Sequence, residues 1–166
     1  MKTTPFILLL FLLSACSLSS CVCQKGGTDC DCNDKETTAT TFTADLSTDD
    51  AAPVKDIAVW VFDRSGKLCG SVVKEGDALK APYDLSVNTY IGTDYTVCAI
   101  ANAKACGMTP GEVTSIVKYR ALFSSILSKA APDDQASPLL SGEADNVSIP
   151  LGGQAKVRIQ MRNVSR

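Results

Sequence analysis

Ile57-Ala58-Val59-Trp60-Val61-Phe62 is apolar at every position and runs directly into Asp63-Arg64-Ser65-Gly66. An extended chain points successive side chains to opposite faces. One face therefore carries Ile57, Val59 and Val61, and the other Ala58, Trp60 and Phe62. A strand apolar on both faces belongs in the middle of a structure, covered from both sides. The next four residues have turn chemistry: Asp63 can accept backbone N–H groups, and Gly66 can take positive φ. The chain is expected to reverse there, with Lys67–Val73 returning as the hairpin partner.

Working outward, other segments alternate with the period of a half-buried strand. Thr40–Ser47 places Phe42, Ala44 and Leu46 on one face and Thr41, Thr43, Asp45 and Ser47 on the other. Tyr83–Asn88 alternates through Tyr83, Leu85 and Val87. Asp94–Ala103 carries Tyr95, Val97, Ala99 and Ala101 on one side. Asp145–Leu151 alternates through Val147, Ile149 and Leu151. Gln154–Arg162 is the cleanest case, with Ala155, Val157, Ile159 and Met161 opposed to Lys156, Arg158, Gln160 and Arg162. Short strands separated by turn signals predict a mainly β fold, an antiparallel β-sandwich.

One segment breaks the pattern. Thr109-Pro110-Gly111-Glu112 reads as a capping box, with Thr109 as N-cap and Pro110 in the first turn. Val113, Ile116, Val117, Leu122, Phe123, Ile126 and Leu127 then follow helical spacing, up to Ala130-Ala131-Pro132. This helical insert is expected to pack as a lid on one end of the sheet. Its polar face has no Lys/Arg cluster of the kind that marks a membrane-surface helix.

The chain has 166 residues, 45% apolar and 20% charged, with a formal net charge of −2, eight cysteines and no histidine. That suits one domain with a tail. Without histidine there is no Ser-His-Asp or Cys-His nucleophilic pair and no imidazole acid or base near neutral pH. The serines form no Gly-x-Ser-x-Gly motif, and Ser125-x-x-Ser128 lacks the lysine that a Ser-x-x-Lys nucleophile needs. No carboxylate pair suggests a glycosidase. An enzyme is not expected, and no cofactor is implied.

Lys156, Arg158, Arg162 and Arg166 form a basic stripe on the last strand. No aromatic residue interleaves it, so no nucleic-acid partner is expected. The stripe reads as a solvated sheet face or a charged edge strand. Asn146-Val-Ser148 and Asn163-Val-Ser165 match the acceptor pattern for N-glycosylation and are read as coincidence.

The N-terminus has the form of an export signal. Lys2 precedes the apolar run Phe6–Leu13, which is too short to span a bilayer and suits a cleaved signal peptide. Leu13-Ser14-Ala15-Cys16 resembles the lipobox of bacterial lipoproteins. That resemblance implies removal of residues 1–15 and lipidation at Cys16, and no aspartate follows to suggest inner-membrane retention. A lipid anchor in the outer membrane is the expectation. Residues 17–50 hold two lysines against seven carboxylates, and 16–39 reads as an acidic, cysteine-rich tether before a domain at 40–166. Cys21, Cys23, Cys30 and Cys32 could form a four-thiolate metal site, but their Cys-x-Cys spacing is unusual for zinc. Disulfides are the more natural reading in an oxidising compartment, and unpaired thiols remain open. Cys69 and Cys98 could face each other on neighbouring strands, with Cys106 close behind.

Three blocks carry a wider resemblance: Val54–Leu68, Tyr95–Ala103, and Ser141-Gly142-Glu143 followed by a β-branched strand and Met161-Arg-Asn-Val-Ser-Arg166. In this order they resemble the fimbrillin superfamily of major and minor fimbrial subunits, over about residues 40–166. The resemblance implies a transthyretin-like, Greek-key β-sandwich, exported as a lipoprotein and working as an anchor or shaft component in surface adhesion. Its partners would be other fimbrial subunits, joined by donor-strand exchange. Thr40–Ser47 is the segment expected to be displaceable. Members of the family generally continue into a second sandwich, so the expectation here is either a one-domain form or a truncated frame. The alternative reading is a monomeric surface lipoprotein that binds a glycan or a host protein.

Overall fold

In the computed structural model, the described residues are 38–51, 53–129 and 137–164. The expected signal peptide, the expected tether with Cys16, Cys21, Cys23, Cys30 and Cys32, and Arg166 lie outside them. Seven strands and one helix follow in chain order: β1 (Ala39–Thr48), β2 (Val54–Phe62), β3 (Leu68–Leu79), β4 (Tyr83–Tyr90), β5 (Gly92–Ala101), α1 (Ile116–Lys129), β6 (Leu140–Ile149) and β7 (Lys156–Asn163).

The strands form one sheet in the order β3-β2-β5-β6-β7-β1-β4. Its two edges curl toward each other until β3 and β4 touch. At that contact a Cβ on Gly70 would stand 2.1 Å from the carbonyl oxygen of Asn88. Only a residue without a side chain lets the two backbones approach so closely. The result is a nearly closed barrel. Its interior is filled from every strand by alternate side chains, including Phe42, Leu46, Ile57, Val59, Val61, Val87, Val97, Ile149 and Ile159.

β2 is the strand the sequence marks out. Ile57, Val59 and Val61 point into the barrel. Ala58, Trp60 and Phe62 point outward and are equally buried, because α1 lies across them. Tyr119 anchors the helix, its ring 5.4 Å from that of Trp60 and 6.0 Å from that of Phe62, and Phe123 stacks on it at 5.9 Å. The helix thus covers the outer face of β2 and β5 and is not the expected lid on one end of the sheet. Two wide apolar faces, one on the strand and one on the helix, bury more surface together than a lid would.

The sheet is mixed, which corrects the expectation of a wholly antiparallel one. β1 pairs antiparallel with β4 but parallel with β7, from Thr43 against Lys156 to Thr48 against Met161. Alternation has the same period in either direction, so the sequence could not distinguish them. Parallel neighbours need a long crossover, and everything from β2 to β6 provides it. β7 therefore has strands on both sides, β6 and β1, and is not an edge.

Two boundaries also differ. Thr109 makes no side-chain cap; Pro110–Glu112 is an isolated 3-10 turn, and Val113 is extended and buried. The helix starts later, where Ser115 bridges to Lys67 and its hydroxyl accepts the Lys118 N–H at 3.2 Å. β6 begins at Leu140, earlier than the expected Asp145, since pairing with β5 and β7 extends it through Ser141-Gly142-Glu143, which lacks alternation. Gly142 is needed there, since a Cβ would stand 2.5 Å from the Gln160 carbonyl oxygen on β7.

The turn after β2 forms as read. Asp63 Oδ1 accepts from the backbone N–H groups of Ser65 and Lys67 at 2.8 and 2.9 Å and from the Ser65 hydroxyl at 2.6 Å. Partial burial works to raise the Asp63 pKa, but these hydrogen bonds and the Lys67 charge outweigh it and hold it below the usual value.

If edge contact closes the barrel, Gly70→Ala should lower stability by about 1–3 kcal/mol through overpacking. Gly111→Ala, which has open space around its Cβ, should stay within about 0.5 kcal/mol. Denaturant melts of the two variants compare them directly.

Candidate functional site

The strand singled out as displaceable occupies a slot between β7 and β4. Its inward face, Phe42, Ala44 and Leu46, is at most 2% exposed. These side chains meet Val87 and Leu85 of β4 and Val157 and Ile159 of β7 within one apolar cluster. In register, Phe42 lies opposite Val87, Ala44 opposite Leu85, and Leu46 opposite Ile159. The backbone is tied along both borders. The ladder to β4 runs from Ala39–Tyr90 to Leu46–Tyr83. At the mouth of the slot, the Ile91 N–H donates to the Thr38 carbonyl at 3.0 Å and the Thr43 N–H to the Ala155 carbonyl at 2.9 Å.

The outward face of β1 is only lightly held. Asp45 lies 3.2 Å from Lys156 Nζ and 3.6 Å from Arg158 Nε, and Lys156 also approaches Asp84 at 3.6 Å. Two members of the basic stripe are thus partners of β1 and β4. Arg162 is exposed beyond them. The Arg158 side chain is 86% exposed, so solvent screens these pairs and they contribute little. Polar side chains of β7 clamp the exit of the strand. Gln160 Nε2 donates to Asp49 at 2.9 Å, and Asn163 Nδ2 donates to Asp50 at 3.1 Å. Asn163 of the second glycosylation-like motif thus has a structural task, while Asn146 is an exposed β6 residue with φ of 55°. Sequence reasoning found the strand and its buried face but missed this clamp, since nothing local links residue 160 to residue 49.

One imperfection lies inside the slot. Thr40 and Thr89 face each other across β1 and β4. The Thr40 hydroxyl donates to the Pro150 carbonyl at 3.3 Å, whereas Thr89 Oγ1 is buried with no hydrogen-bond partner among the described residues. An unmet buried hydroxyl weakens this end of the ladder.

The described cysteines form no common site. β2 lies between β3 and β5, so Cys69 and Cys98 are not on neighbouring strands. Cys69 packs against the barrel interior and Cys98 under the helix. Both thiols are free. Burial pushes the Cys98 pKa up to about 12, which keeps it a neutral, unreactive core residue. Cys106 sits against the helix-side cluster. No metal-binding group of three or more ligands occurs among the described residues. Ser125 and Ser128 are helix surface, the Ser128 hydroxyl donating to the Ser125 carbonyl at 2.8 Å. No helix of the described residues is long and apolar enough to cross a membrane.

Residues 28–165 match the family of fimbrillin-A associated anchor proteins Mfa1 and Mfa2. The chain belongs to this family, within a fimbrillin-like superfamily. A search of curated proteins returns no match. Among solved structures, it is similar to the fimbrial anchor protein Mfa2 from Porphyromonas gingivalis, with 16% identity and a TM-score of 0.52 over 75% of this chain and 50% of that one. It is also similar to a fimbrial assembly protein from Parabacteroides distasonis, with 18% identity and a TM-score of 0.51 over 75% of this chain and 53% of that one. At these identities the likeness is one of fold. The chain spans about half the length of the solved structures it matches.

If apolar burial holds β1 in its slot, Phe42→Ala should cost about 3–5 kcal/mol. Asp45→Ala should cost less than about 1 kcal/mol despite removing two ion pairs. Urea unfolding monitored by circular dichroism distinguishes the two.

Proposed function

We propose that the chain is a non-enzymatic structural subunit of a surface fimbrium, held at the outer membrane by lipid on Cys16 and joined to other subunits by exchange of β1. Membership of the anchor family supports the fimbrial role and a location at the cell surface. The lipobox at Leu13–Cys16 supports the membrane attachment.

The observation that carries the assembly mechanism is the position of β1. It is the first strand among the described residues and is bordered on both sides by other strands. Withdrawing it would bare two rows of backbone N–H and C=O groups and an apolar trough lined by Leu85, Val87, Val157 and Ile159. Unpaired backbone and exposed apolar surface are both costly, so the slot would not stand empty. An incoming strand with apolar residues at alternate positions, parallel to β7 and antiparallel to β4, would satisfy both. The sandwich of the wider superfamily, with a further domain completing the assembly surface, is the setting in which this exchange would operate.

Two experiments test this reading. Cleavage at a protease site inserted after Ala51, between β1 and β2, should leave β1 bound without a covalent link to the barrel, and a labelled peptide of residues 38–49 should then replace it. A cleaved protein that never takes up peptide, even under mild denaturant, rules out exchange. Separately, Cys16→Ala should move the protein from the membrane to the soluble fraction. An unchanged distribution rules out lipid attachment.

A further inference from the structure

Six large apolar side chains are notably exposed among the described residues, and four of them gather at one end of the barrel: Tyr90 (39%), Ile91 (37%), Val117 (74%) and Leu151 (70%). The topology brings them together from three places in the chain. Tyr90 and Ile91 form the β4–β5 turn, and Leu151 lies in the β6–β7 turn. Val117 is in the first turn of α1, which is tied to the β2–β3 turn by the Ile116 N–H donating to the Gly66 carbonyl at 2.9 Å. Gly92 lies opposite Ile149, and Phe62 opposite Thr96, so all three turns lie at the same end. Polar turn residues would be the expected composition there. Exposed apolar groups collected from separate turns mark a contact surface.

The chain enters the barrel at this end. Ala39 lies opposite Tyr90, and the Thr38 carbonyl accepts from the Ile91 N–H. The opposite end, where Leu46 meets Tyr83 and Thr48 meets Met161, is about 30 Å away along the strands. Its loops carry Asp49 and Asp50.

We propose that the Tyr90–Ile91–Val117–Leu151 end docks on the phospholipid surface to which the chain is tethered. The proposal rests on lipid attachment at Cys16. Residues 17–37 can reach at most about 75 Å, so this end is held near the bilayer at high local concentration, and a modest patch suffices. The chemistry fits an interface. Aliphatic tips enter the headgroup boundary, tyrosine suits the border between apolar and wet layers, and Arg64, Lys67 and Lys118 on the adjoining turns can meet phosphate groups. Docked this way, the barrel stands with the exit of β1 pointing outward, and both long borders of its slot remain accessible.

The test is hydrogen–deuterium exchange of the full chain with and without phosphatidylethanolamine/phosphatidylglycerol vesicles. Vesicles should slow exchange at least threefold in segments 89–95, 115–119 and 150–154 and leave 48–53 and 79–83 unchanged. Tyr90→Ser/Ile91→Ser/Leu151→Ser should abolish the slowing while the circular dichroism spectrum is retained. Vesicle-bound protein that exchanges at this end as it does in solution overturns the proposal. So does slowing that needs no vesicles and grows with protein concentration, which would assign the surface to a second copy. Whether Cys16 carries acyl groups is read from the mass of its own peptide, so failure of the anchor is distinguishable from failure of the docking surface.

Discussion

The burial of Phe42, Ala44 and Leu46 between β7 and β4 is the contact on which the rest of the barrel depends. Without it β4 has no ladder partner, since its hydrogen-bonded neighbour is β1. The approach of Gly70 to Asn88 would then have no fixed partner. These three side chains are almost wholly removed from water, whereas the charges on the opposite face of β1 are screened. β1 is therefore held by an apolar row and two ladders. Both features can be supplied equally well by another strand of the same pattern.

The other half of the molecule is packed on two faces. β2 is covered by the barrel interior on one face and by α1 on the other, with Trp60, Phe62, Tyr119 and Phe123 locked in ring contacts. Asn102, at positive φ, ties the loops around it: its side chain accepts the Lys55 N–H at 2.9 Å and donates to the Pro138 carbonyl at 2.9 Å. Asp56, buried on β2, has its pKa raised by that burial in spite of the backbone donors and the Lys104 charge nearby. A raised carboxyl pKa means this group favours the fold at low pH and loses that contribution as pH rises from 3.8 through its folded value. Acid therefore does not loosen β2 through Asp56. A densely packed half beside a strand held mainly by apolar burial is compatible with the proposed exchange.

Much of this was legible in the sequence. The two-faced run Ile57–Phe62, the Asp63–Gly66 turn and the alternating rows of β1, β4 and β7 follow from period and turn chemistry alone. Neighbour relations were not legible. Alternation around Val157 and Ile159 says which side chains are buried, but not that β7 runs parallel to β1. The helix was found and its start misplaced, because Pro110-Gly111-Glu112 has capping chemistry but Val113 is drawn into the core and interrupts the turn. The first half of β6 was missed because Gly142 answers to the nearby backbone of β7 and to no pattern of its own. The apolar end of the barrel was invisible for the same reason: only the fold places residues 90, 117 and 151 at one end.

The central claim is that β1 leaves its slot when subunits join. Thr43 and Lys156 are register partners on the adjacent strands β1 and β7, so a cysteine pair at these positions would staple β1 in place. The measurement is incorporation of the stapled Thr43→Cys/Lys156→Cys chain into fimbriae when it is co-expressed with its fimbrial partners. The expected result is a folded, membrane-attached protein that fails to join the fimbria until the staple is reduced. Incorporation of the oxidised chain at the unstapled level would contradict the account.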